Sequence, residues 1–120
     1  MMELEEIQES VSLTEIISAQ DVDPVAVRIQ ASAEYRLLWA VLQDAIYCYF
    51  RYAGQSSAQA QQQFRKAAAW IESEEEEWLC SFISICRAFQ IDPGYLRRGL
   101  RRRLHAIQEE RQAASLERAA

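Results

Sequence analysis

An arginine-rich segment near the C-terminus carries the side chains of this sequence best suited to bind another molecule. Six arginines and a single aspartate lie between Arg87 and His105. Residues 81–104 have the layout of a helix-turn-helix unit: a short apolar helix, a tight turn and a second helix loaded with arginine. Guanidinium groups contact phosphates and the edges of guanine bases, so an arginine face on the second helix would suit the major groove of DNA.

The boundaries of both helices are marked by capping residues. Ser81 is placed to accept a hydrogen bond from the first turn of the short helix. Asp92 can cap the second helix, and Pro93 at its first position sacrifices no hydrogen bond. At about 100° per residue, the apolar stripe of the second helix lies opposite its outermost polar side chains. The stripe consists of Leu96, Leu100, Leu104 and Ile107, and the opposite side chains are Arg98, Arg102 and His105.

The segment fits most of the usual helix-turn-helix frame. Cys86 takes the small-residue position of the first helix, Ile91 the apolar position in the turn, and Leu96 the apolar position in the second helix. Gln90 stands where a glycine usually makes the turn, and Gly99 where another apolar residue usually packs. The pattern therefore predicts a helix-turn-helix-like hairpin. It leaves open whether this hairpin binds DNA, makes protein contacts or only packs within the fold.

We predict that six residues of the hairpin touch DNA. Arg98 and Arg102 point most directly away from the leucine stripe, so we expect them in the groove. Arg97 and Arg101 lie to the sides and are expected to meet the flanking phosphates. Two secondary candidates lie near the start of the second helix, namely Tyr95 and Gln90.

The rest of the chain must position these arginines, and its composition favours an all-α fold. Half of the 120 residues are hydrophobic, and there are only three glycines and two prolines. Such a composition predicts a small helical bundle. We divide it into an acidic N-terminal segment (1–23), a helical domain (24–108) that contains the helix-turn-helix-like unit, and a polar helical tail (109–120).

Helical periodicity marks two further long helices. The first runs from Tyr35 to Ala53 and is followed by Gly54, a residue suited to the left-handed end of a helix. The second is capped by Ser57 and ends near Glu72. In the N-terminal segment, the pattern Ser12-x-x-Glu15 predicts another helix start. The predicted core consists of Leu38, Leu42, Ile46, Phe64, Ile71, Ile85, Phe89, Leu96 and Leu100.

The two ends of the chain carry opposite charge. The net charge is −5, which weakens long-range attraction to nucleic acid. Residues 1–23 contain seven acidic side chains and no basic one. The acidic and basic ends can attract each other within one protomer or between protomers. Self-association is also expected, because one short recognition helix gives little affinity and DNA half-sites are commonly paired.

The residues offer little for catalysis or metal binding. Cys48, Cys80 and Cys86 lie among apolar residues without the paired spacing of a zinc site, which indicates reduced thiols in a cytoplasmic protein. His105 is the only histidine. We expect no enzyme activity, no cofactor, no metal and no small-molecule substrate. No apolar run has the length of a membrane span, so no membrane role is predicted.

The run from Arg36 to Arg103 resembles a group of small, uncharacterised bacterial proteins. The resemblance is carried by the pieces LLWAVLQDAIYCYFRY, FRKAAAWIESEEEEW and SFISICRAFQIDPGYLRRGLRR. It implies a bacterial cytoplasmic origin and a helical fold that ends in a helix-turn-helix-like unit, and it brings no established activity. We therefore expect a DNA-binding protein involved in transcriptional regulation. The alternative is a non-enzymatic protein-interaction module.

Overall fold

The computed structural model describes residues 25–29 and 32–119, and these are helices joined by short loops. After a helical stretch at 25–29, the helices are α1 (Ala33–Arg51), α2 (Ala58–Glu72), α3 (Phe82–Ala88) and α4 (Pro93–Ala119). No strand occurs within these two described ranges. The predicted all-α class is confirmed. The predicted helix start at Ser12 and the acidic segment 1–23 lie outside the described residues.

Serine residues cap the N-terminal ends of α1 and α2. The Ser32 hydroxyl accepts a hydrogen bond from the backbone N–H of Tyr35 at 3.1 Å, and Ser57 serves α2 in the same way through the N–H of Ala60 at 3.1 Å. This confirms the predicted cap at Ser57, whereas the one at Ser32 was not predicted. Beyond the end of α1, Gly54 has a φ of 76°, the left-handed conformation that glycine adopts without strain.

The core lies where the four helices meet. Eight of the nine predicted core residues are buried, and the ninth, Phe64, is partly buried and packs against the others. Leu42 and Ile46 of α1, Phe82 and Ile85 of α3, and Leu96 and Leu100 of α4 are 0% exposed, so these three helices contribute the centre of the core. Burial of several large apolar side chains of this kind supplies most of the driving force for folding.

The last helix continues well past the core. Residues 109–119, which belong to the predicted polar helical tail, continue α4 without a break to Ala119. Residues 108–119 are exposed along the whole of that stretch. No helix in the described ranges combines the length and the apolar character that crossing a membrane requires.

Candidate nucleic-acid interface

The short helix α3 is anchored at its first turn. Ser81 is 2% exposed, and its hydroxyl accepts a hydrogen bond from the N–H of Ser84 at 3.2 Å. The Ser84 hydroxyl in turn donates to the backbone carbonyl of Glu76 at 2.8 Å. This confirms Ser81 as the N-cap and ties the start of α3 to the loop before it.

The turn between α3 and α4 is a Schellman motif. The N–H of Ile91 donates to the carbonyl of Cys86 at 2.8 Å, and the N–H of Gln90 donates to that of Arg87 at 3.1 Å. Gln90 has a φ of 57°, the left-handed conformation that this motif requires at that position. Glycine commonly occupies this position of the turn, and Gln90 adopts the same backbone at some cost in strain.

The start of α4 is fixed by a cap on one side and by the core on the other. The carboxylate of Asp92 accepts a hydrogen bond from the N–H of Tyr95 at 2.8 Å, which confirms the predicted cap. Ile91 is 2% exposed, and Leu96 is fully buried one turn into the helix. The first turns of α4 therefore have a defined orientation, with one face in the core and the opposite face outward.

Arg97 does not project outward. Its side chain is only 12% exposed and lies 5.0 Å from the centre of the Phe82 ring. Its Nε donates to the carbonyl of Ile71 at 2.8 Å, and Nη2 donates to that of Ser73 at 2.8 Å. The third bond runs from Nη1 to the carboxylate of Glu74 at 3.0 Å. The guanidinium of Arg97 thus binds the C-terminal end of α2.

Two other arginines, one on α3 and one on α4, are paired with the same acidic stretch. Arg101 donates through two nitrogens to the carboxylate of Glu72, at distances down to 2.7 Å. Arg87 on α3 pairs with Glu76 at 2.8 Å. We call residues 72–77 the acidic link. It neutralises three arginines of α3 and α4, so Arg97 and Arg101, which were predicted to meet phosphates, are engaged within the molecule.

Arg98 and Arg102 have a different setting. Both are exposed, and no carboxylate among residues 25–29 and 32–119 lies within 4.0 Å of either guanidinium. Nη1 of Arg98 lies 3.4 Å from where a Cβ on Gly94 would stand, so this side chain folds back over the first turn of α4. With the half-buried Tyr95, these two arginines form what we call the outward face.

The remaining candidates lie at the edges of this face. Gln90 is exposed, but it belongs to the turn and not to the helix. His105, one turn beyond Arg102, lies 3.4 Å from the carboxylate of Glu109. The positive part of the outward face therefore spans roughly the first three turns of α4.

Sequence analysis missed two features near α3 and α4. Trp78 and Leu79, directly after the acidic link, are 60% and 66% exposed, and the N–H of Trp78 is held by the carboxylate of Glu75 at 2.9 Å. The sequence signal that could have revealed this exposed pair is a tryptophan and a leucine directly after four consecutive glutamates. On α4, Arg111 donates to the carbonyls of Phe50 and Ala53 at the end of α1, and no local sequence signal marks this contact.

Cys48, Cys80 and Cys86 are free cysteines, and Cys86 is buried. Burial raises the pKa of the Cys86 thiol to about 12, which keeps it protonated. Burial also raises the pKa of Cys48, assisted by the nearby charge of Asp44. Across the described part of the chain, no three metal-binding side chains converge.

No family model, curated protein or solved structure matches the chain. The resemblance to small bacterial proteins therefore stays a prediction.

Proposed function

We propose that the protein binds double-stranded DNA through the outward face of α4, as a regulator of transcription in a bacterial cytoplasm. The observation that carries this proposal is the position of Arg98 and Arg102. They lie one turn apart on an exposed helix face, directly after a tight turn, and no carboxylate of the described residues neutralises them.

The arrangement of the hairpin supports this reading. In DNA-binding helix-turn-helix units, the N-terminal part of the second helix meets the base edges. Tyr95, Arg98 and Arg102 occupy the corresponding turns of α4. An arginine that forms two hydrogen bonds with guanine contributes about 1–3 kcal/mol of discrimination against other bases.

The internal ion pairs limit how this protein can bind. With Arg87, Arg97 and Arg101 held by the acidic link, few cations remain for phosphates, and the net charge of −5 opposes non-specific binding. Of the six arginines between Arg87 and His105, only Arg98, Arg102 and the partly buried Arg103 have no carboxylate partner among the described residues, which is a small footprint. We therefore include self-association in the proposal, so that two outward faces read two half-sites.

The test first selects the duplexes that the purified protein binds from a random pool, and then measures binding to a fluorescein-labelled selected duplex by fluorescence anisotropy at low salt. The double variant R98A/R102A should bind at least about tenfold more weakly, the loss expected when one good base contact disappears. The matched control is R65A/K66A, which removes two exposed charges from α2. If wild-type protein binds no duplex, or if both variants weaken binding equally, the proposal is wrong.

A second candidate is a protein-interaction module, and the surface around Trp78 favours it. Exposed aromatic side chains are common anchors of protein interfaces, and Trp78 lies beside the exposed Leu79. The variant W78S/L79S should reduce self-association in sedimentation velocity runs if the partner is a second copy. An unchanged sedimentation profile would exclude this form of self-association.

A further inference from the structure

We infer that Glu72 competes with phosphate for Arg101 and thereby limits how tightly the outward face holds nucleic acid. Glu72 is the last residue of α2, and its carboxylate pairs with Arg101 on α4. The competition for phosphate is a property of these two side chains, whereas its effect on nucleic acid rests on the proposed function.

Arg101 lies at the edge of the outward face. It follows Arg98 by three residues, which places it about 60° around the helix and about 4.5 Å further along the axis. Its side chain is 56% exposed. A polyanion that lies along Arg98 and Arg102 therefore comes within reach of the Arg101 guanidinium.

In the described part of the chain, every hydrogen bond of the Arg101 guanidinium goes to the Glu72 carboxylate. Nε donates to one of its oxygens at 3.2 Å, and Nη2 donates to both oxygens, at 2.8 Å and 2.7 Å. The Glu72 side chain is 44% exposed, so water and dissolved ions reach the pair. An exposed ion pair of this kind contributes little to stability, and another anion can replace its carboxylate.

Arg97 differs from Arg101 in the groups that hold it. Two of its bonds go to the backbone carbonyls of Ile71 and Ser73, and its side chain is only 12% exposed. These carbonyls stay in place when a carboxylate is displaced, so a phosphate that replaced Glu74 would not release Arg97. Of the two α4 arginines that pair with the acidic link, Arg101 is therefore the one open to exchange.

The position of Glu72 strengthens its attraction to Arg101. The carboxylate lies at the C-terminal end of α2, where the helix dipole is negative and a further negative charge is unfavourable. Pairing with a guanidinium through two hydrogen bonds offsets this repulsion. A phosphate must therefore displace a competitor that is already in place, and this reduces the affinity that Arg101 adds.

The test begins without nucleic acid and compares the full-length variants E72Q and E77Q. Each variant removes one exposed carboxylate from the acidic link, but no cation within residues 25–29 and 32–119 pairs with Glu77. Tripolyphosphate is added at low salt, and the side-chain Nε–Hε signal of Arg101 is followed by NMR. The midpoint of its shift should lie at about threefold to fivefold lower tripolyphosphate concentration in E72Q than in E77Q, the advantage expected when an exposed ion pair is removed.

The anisotropy assay then measures the effect on duplex DNA. E72Q should bind the selected duplex and a scrambled duplex more tightly than E77Q does, by the same factor of about three to five, because a phosphate contact carries no sequence information. The magnitude of its salt slope should rise by up to about 0.9 per protomer. The variant E72Q/R101M should lose this gain, since the freed guanidinium is its source.

Each contrary result has a defined meaning. Equal Arg101 midpoints in E72Q and E77Q overturn the inference, and so does a duplex that binds both variants equally. A gain in duplex affinity that survives in E72Q/R101M also overturns it, because the lost repulsion between Glu72 and phosphate would then explain the gain. If the Arg101 midpoints differ but neither variant nor the wild type binds any duplex, the proposed function fails and the competition for phosphate stands.

Discussion

Arg97 and Arg111 lie about four turns apart on α4 and perform the same task at two different helix ends. Arg97 donates to the carbonyls of Ile71 and Ser73 at the end of α2, and Arg111 donates to those of Phe50 and Ala53 at the end of α1. The last carbonyls of a helix have no partner within that helix, and cationic side chains interact favourably with its negative end. Helix α4 thus fastens both long helices through polar contacts as well as through its leucines.

The first prediction concerns the contribution of Arg97 to stability. The variant R97M should lower the free energy of unfolding by about 2–3 kcal/mol, since hydrogen bonds to a charged group contribute about that much. R97K should recover only part of the loss, because an ammonium lacks the fork that reaches two carbonyls. Urea melts followed by circular dichroism would measure both.

Two controls separate the helix-end bonds from the ion pair. Glu74 is 80% exposed, so E74Q should change stability by less than about 1 kcal/mol. R111M should cost less than R97M, because Arg111 is exposed. If E74Q lowered the free energy of unfolding as much as R97M does, the stabilisation would come from the ion pair with Glu74 and not from the hydrogen bonds to the helix-end carbonyls.

These arginines show what the sequence could and could not predict. The caps at Ser57, Ser81 and Asp92 were predicted correctly because capping depends on residues three positions apart. The core faces were predicted correctly because periodicity is also local. The partner of Arg97, however, lies 26 residues away, on a helix whose orientation only tertiary packing decides. A helical wheel shows that a side chain lies beside the core, but it does not show that a neighbouring helix ends there.

The second prediction concerns the strained turn. Gln90 has a φ of 57°, which costs a non-glycine residue about 1 kcal/mol or more. Q90G should therefore raise the free energy of unfolding by a few tenths to about 1 kcal/mol, after the larger entropy of glycine in the unfolded chain is subtracted. Q62G in the exposed middle of α2 should do the opposite and cost about 1 kcal/mol. If urea melts showed that both variants change the free energy of unfolding in the same direction, the left-handed conformation assigned to Gln90 would be contradicted.

The third prediction tests the core. Leu42 is 0% exposed, so L42A should lower the free energy of unfolding by about 2–5 kcal/mol. Leu37 lies on the same helix and is 63% exposed, so L37A should be close to neutral. Guanidinium melts of both variants measure the difference. If L42A left the free energy of unfolding almost unchanged, the face of α1 that contains Leu42 would not be the buried one.

The fourth prediction concerns pH. Because burial raises the pKa of the Cys86 thiol to about 12, the folded protein keeps this proton after the unfolded chain has lost it. Stability should therefore fall as pH rises above about 8.5, where a free thiol ionises. Urea melts at pH 8 and pH 10 should show a larger loss for wild type than for C86A. At pH 8, Ellman's reagent should reach Cys86 only after unfolding.

The last prediction tests which arginines touch DNA. Each phosphate contact adds about −0.9 to the slope of log affinity against log salt. If R98A or R102A removes such a contact, the magnitude of the slope per protomer should fall by about 0.9. A contact to a base edge should instead lower affinity with a smaller change in slope. R97M should leave the slope unchanged, because its guanidinium already serves the end of α2. Circular dichroism must show that R97M is folded at the assay temperature. A slope that falls equally in R97M would show that Arg97 leaves Glu74 and binds phosphate, so the contact surface would be wider than the outward face.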